Sequence, residues 1–178
     1  MPTARINNQP TTNQPYVDIA VYATGAAATA NLGTANHVAV FPFNVHVARV
    51  VTSIAVEVTT SGAAQLYDIG ILDTSGNLLA HVGARTLTTT GAATVLALTS
   101  PITLSPGTYL LAITGSGTTA KFRSLGNTVG LWIYDTATTT SGGVLTSVTL
   151  TNTTPTTTSL PAAAQWSASG QRPLFMLT

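Results

Sequence analysis

The sequence predicts an all-β fold: an antiparallel β-sandwich, jelly-roll-like, with an extended N-terminal arm. Three observations carry this. About one residue in five is threonine, and threonine with valine and isoleucine favours the pleated strand over the helix because branching at Cβ restricts χ1. Apolar and polar residues alternate with period two in short runs, as in LYDIGIL, which places one set of side chains on one face of a sheet. Turn residues punctuate those runs about every ten residues, the spacing of sandwiches and jelly rolls. A chain of 178 residues suits one domain with a sizeable core. We place the arm at 1–15 and a single sandwich domain at 16–178, with a Thr/Pro-rich connector at 151–165.

The elements follow in order. MPTARINNQPTTNQP is polar, proline-broken and without period, and lacks the apolar core of a secretory leader. YVDIAVY, Tyr16 to Tyr22, alternates as a first strand. GAAATANLG reads as a small-residue loop or one helical turn. HVAVFPF is the next strand, and Val45 to Thr60 the longest β-run, with Ile54, Val56 and Val58 on the core face and Ala55 and Glu57 opposite. LYDIGILD, TSGN and LLAHVGA make a hairpin, Tyr67, Ile69 and Ile71 inward and Asp68 and Gly70 outward, turning at Gly76 and Asn77. Strands are expected at RTLTT, at ATVLALT and at PITL. In SPITLSPGTYLLAIT, Pro106 presets a turn, Gly107 supplies positive φ, and Tyr109, Leu111 and Ile113 point into the core. TAKFRSL, VGLWIYD, VLTSVTLT and RPLFMLT complete about nine to eleven strands, with TATTTSGG a loop.

Charge excludes several functions. Asp, Glu, Lys and Arg make up 6% of the chain and the net charge is +1, against about 25% charged residues in ordinary domains. Nothing steers it toward nucleic acid or an anionic membrane. No apolar run approaches the ~20 residues of a spanning helix, and the sparse, irregular aromatics do not form the girdles of a membrane barrel. With no cysteine, disulfides, thiolate metal sites and thiol catalysis are absent.

Catalytic patterns are also missing. Asp18, Glu57, Asp68, Asp73 and Asp135 are scattered, without the spacing of a general acid and its base. Asp18, Glu57 and Asp68 read as solvent-face strand residues and Asp73 as a turn former. His37, His46 and His81 lie on three different strand candidates and their spacing gives no support to a shared zinc. LDTSGN has one carboxylate where a calcium loop needs several. No G-x-S-x-G elbow occurs. We therefore assign no catalytic, cofactor-binding or metal residue and expect no cofactor.

Two groups remain as candidate contact residues. Lys121 and Arg123 flank Phe122 and project from one strand face as an interface basic pair. Trp132, Tyr134 and Trp166 are candidate ligand or interface aromatics, suited to an apolar sugar face or to a subunit contact.

LYDIGILDTSGNLLA followed by TGAATVLALTSPITLSPGTYLLAITG, with its L-x-P-G-x-Y-x-L-A entry from Leu104 to Ala112, resembles the jelly-roll β-sandwiches of tailed-bacteriophage virion proteins over residues 66–115. The resemblance implies a non-enzymatic structural protein located in the virion, a capsid decoration or cement protein or a head fibre. It further implies a homo-oligomer, a trimer favoured, contacting other virion proteins such as the major capsid protein through its arm. The alternative is a tail or receptor-binding module, or a carbohydrate-binding one, that takes a cell-surface glycan. The resemblance carries no catalytic residue over.

Overall fold

A computed structural model describes residues 28–31, 35–125, 140–149 and 172–178. The arm at 1–15, the expected strands Tyr16 to Tyr22 and VGLWIYD, the first half of the TATTTSGG loop and the 151–165 connector lie outside the described residues. So do Trp132, Tyr134 and Trp166.

The described residues form eleven strands and no helix: β1 (Ala28–Asn31), β2 (Val38–Val45), β3 (Arg49–Thr60), β4 (Leu66–Leu72), β5 (Leu78–His81), β6 (Arg85–Thr86), β7 (Ala93–Leu104), β8 (Gly107–Gly115), β9 (Lys121–Leu125), β10 (Arg172–Pro173) and β11 (Phe175–Leu177). All pair antiparallel. A five-stranded sheet runs β2-β8-β4-β5, with β6 also against β4, and a six-stranded sheet runs β1-β9-β3-β11, with β7 on β3 and β10 on β9.

The facing sides of the sheets share one core. Alternate residues of β2 (Ala39, Phe41, Phe43, Val45), β3 (Ile54, Val56, Val58), β4 (Tyr67, Ile69, Ile71) and β8 (Leu111, Ile113) meet Leu96, Leu98, Phe122 and Phe175. Edge contacts between rings fix its centre, Phe43 against Phe175 at 5.3 Å and Tyr67 against Phe122 at 6.3 Å between centroids. The predicted core faces of β3, β4 and β8 are therefore those observed, with Tyr109 packed partly buried at the margin.

Other expectations need correction. The small-residue segment contributes β1, paired with β9, because alanine and threonine tolerate a pleated edge as well as a loop. The run from Val45 to Thr60 breaks at His46–Ala48, separating β2 in one sheet from β3 in the other. ATVLALT and PITL are one strand, β7. Pro101 is accepted because β7 is an edge strand among the described residues. RTLTT shrinks to Arg85–Thr86. The Ser105–Pro106 turn joins no hairpin: β7 pairs with β3 and β8 with β2 and β4, so the turn carries the chain between sheets. Gly107 opens β8 and is not among the positive-φ residues, so proline alone bends the chain there. RPLFMLT is interrupted at Leu174, whose N–H donates to Arg123 O at 2.8 Å between its β9-paired and β3-paired pieces.

The expected strand VLTSVTLT forms no ladder over its described residues. Instead residues 140–149 lie as a strap over the outer face of the five-stranded sheet, and Leu145 and Val148 close a second core with Val38, Val40, Leu72, Leu110 and Ala112.

Candidate functional site

The two outer faces differ, and each holds charged or polar groups. Under the strap, register puts Val38, Thr114 and Asp68 in one row across β2, β8 and β4, and Val40, Ala112, Gly70 and His81 in the next. Asp68 is 0% exposed. Its position opposite the inner face was foreseen, but its solvation is corrected: the strap covers it. Asp68 Oδ2 accepts from Leu145 N at 2.9 Å and contacts His81 Nδ1 at 2.7 Å, while Oδ1 has no hydrogen-bonding partner. A side chain at Gly70 would meet Ala80 O at 2.6 Å and Leu145 Cδ1 at 3.0 Å, so glycine lets the strap lie flat.

The strap is held at both ends. Thr140 N donates to Asn36 O at 2.7 Å, and its hydroxyl meets that of Thr114 at 2.7 Å, with Thr114 Oγ1 donating on to His37 O at 2.8 Å. At the far end Val148 N donates to Gly76 O at 2.8 Å and Leu78 N to Ser147 Oγ at 3.0 Å. The β4–β5 turn there is built as expected: Asp73 Oδ1 accepts from Ser75 N and Asn77 N, and Gly76 takes φ +89.

Sequence reasoning kept Asp68 and His81 apart as two surface residues, yet pairing across β4 and β5 brings them together. Period two at Tyr67, Ile69 and Ile71 located Asp68 on the other face; no local signal announced its cover. No side-chain hydroxyl among the described residues hydrogen-bonds the His81 ring. The visible action of the pair is to anchor the strap through Leu145. Among the described residues no three His, Asp or Glu side chains gather as a metal would need.

The outer face of the six-stranded sheet carries no such strap among the described residues. Met176, Ala55 and Val95 form one row across β11, β3 and β7, flanked by Ser53 with Ala97 and by Glu57 with Ala93. Val50 and Val95 are 61% and 63% exposed. Lys121 and Arg123 both lie opposite buried Phe122, as the alternation required. Arg123 donates from Nε and Nη2 to Glu57 Oε1 at 3.1 and 2.8 Å. This contact holds the Glu57 carboxyl below its usual range and raises Arg123. Lys121 is exposed at the margin. The face is thus small-residued, partly apolar, and locally neutral where Arg123 meets Glu57.

No family model, no curated protein and no solved structure matches this chain.

Proposed function

We propose that the protein is a non-enzymatic structural component of a virion, a jelly-roll decoration or cement protein or a head-fibre protein. It would work by contact with copies of itself and with other virion proteins such as the major capsid protein. The observation that carries this reading is the contrast between the faces. One is sealed by the chain's own strap, and the other presents Val50, Val95 and small neighbours beside a neutralised Glu57–Arg123 pair. Such a face loses little by desolvation and meets no like charge on a neighbour, conditions that favour protein contact. In this reading residues 1–15 drape over adjacent subunits of a homo-oligomer.

Immunogold labelling of purified particles from cells producing the chain tests it. Gold on the particle surface is expected, with particles lacking the protein disrupted at lower urea concentration. Label confined to the soluble fraction overturns the reading. A glycan-binding module, which would rest on Trp132, Tyr134 and Trp166, is distinguished by glycan-array binding that Trp132→Ala or Trp166→Ala abolishes.

A further inference from the structure

We propose that the open edge of β7, Ala93 to Ala97, pairs with the same edge of a second copy across a twofold axis at Val95, joining the two six-stranded sheets into one. This deepens the assembly reading above by naming the surface through which copies meet.

The direction of the main-chain groups follows from the hydrogen bonds of β3. Ser53 N and Ser53 O both bond Thr178, at 2.9 and 3.0 Å, so Ser53, Ala55 and Glu57 turn their main-chain groups toward the β11 side. The alternate residues Ile54, Val56 and Val58 face β7, as Gly91 N donating to Val58 O at 3.0 Å requires. Their partners Leu96 and Thr94 therefore face β3, and Ala93, Val95 and Ala97 point their N–H and C=O groups outward. One of these carbonyls, Ala97 O, is approached by Arg85 Nη2 at 3.4 Å from that open side, which places it there independently. β7 has no ladder partner other than β3 among the described residues.

An edge of this kind ordinarily carries charges, proline or a bulge that deter pairing. Arg85 reaches only the Ala97 end of this stretch, and Ala93–Val95 carry none of these devices. No charged residue lies between Arg85 and Lys121, Pro101 sits in the other half of β7, and the irregular residues Leu98–Pro101 bend toward β5, where Thr99 Oγ1 donates to His81 O at 3.1 Å. Among the described residues Ala93–Ala97 has no ladder partner on this side, and Arg85 on Ala97 O is its side-chain contact there.

The segment is self-complementary, as an isologous contact must be. Antiparallel pairing centred on Val95 sets Val95 against its counterpart and Ala93 against Ala97. Each exchanges two main-chain hydrogen bonds, with only alanine and valine meeting on the outer face and no like charges opposed.

Light scattering on the eluting full-length protein tests this, together with amide exchange. The expected mass is an even multiple of 18.2 kDa, with the Ala93, Val95 and Ala97 amides protected. Val95→Lys, which puts two ammonium groups face to face about 5 Å apart at Cβ, is expected to halve the mass and expose those amides, with the circular dichroism spectrum unchanged. A monomeric or odd-numbered wild type, or an even mass with rapidly exchanging amides at these three positions, overturns the proposal even if the lysine variant does not fold. Monomers with protected amides overturn it too, since the chain's own segment then covers the edge. A monomer that still labels particles removes the pairing and leaves the structural role standing.

Discussion

Asp68 shows how one side chain fastens two layers. Fully buried itself, its Oδ2 bonds both His81 Nδ1 and the Leu145 amide, so replacement by alanine strands a backbone N–H and opens a cavity. Asp68→Ala is expected to lower unfolding stability by about 2–4 kcal/mol, measured by urea titration, and to speed exchange of the Leu145 amide before global unfolding. Asp73 does similar work in the open. Its carboxyl is held below the usual range, first by the Asn77 side chain and then by main-chain N–H groups of the turn. Both it and Glu57 have depressed folded values, so their contribution is whole above about pH 5 and declines as the pH falls through those values. The melting temperature is expected to drop on acidification from about pH 5 downward, less steeply in Asn77→Ala, which removes the main cause of the Asp73 shift. Thermal melts across that range check both. The role of Asp73 was legible in the sequence because an aspartate, a glycine and an asparagine act locally. The burial of Asp68 was not, because it depends on a strap more than 70 residues away along the chain.

Among the elements, the C-terminal strands have an effect out of proportion to their length. β10 and β11 span only residues 172–177, yet they bond β9 and β3 in turn where those strands part. Phe175 plugs the core against Phe43. Truncating it in Phe175→Ala is expected to cost about 3–5 kcal/mol, with denaturant midpoint as the measure. At Thr52 and Ser53 both N–H groups donate to Thr178 O, at 2.7 and 2.9 Å, a β-bulge that bends β3 as it passes from one partner to the next. Periodicity made β3, β4, β8 and β9 readable because each has one apolar face toward the core. It misread VLTSVTLT, whose alternation serves a strap: Leu145 and Val148 bury themselves without a neighbouring strand to pair. In SPITLSPGTYLLAIT it gave the strand, the turn and the strand that form, but not their sheets, since a proline turn looks the same whether the strands it joins share a sheet or face each other.

For the whole molecule, alternation at Tyr67, Ile69 and Ile71 and at Leu111 and Ile113 announced two sheets with one core. The asymmetry of their outer faces was hidden because both sides read as small and threonine-rich. Scarce charge bears on the exterior as a whole: with a net charge of +1, little long-range repulsion opposes the proposed contact between copies, which is expected to vary weakly with salt.

The bond from Thr52 to Thr178 spans 126 positions of sequence. On the ribosome, β3 emerges long before residues 175–178, which supply its neighbour on one side. Until then the cleft between β3 and β9 stays unzipped and greasy. The nascent chain therefore passes through an aggregation-prone interval that ends only when Phe175 slots home.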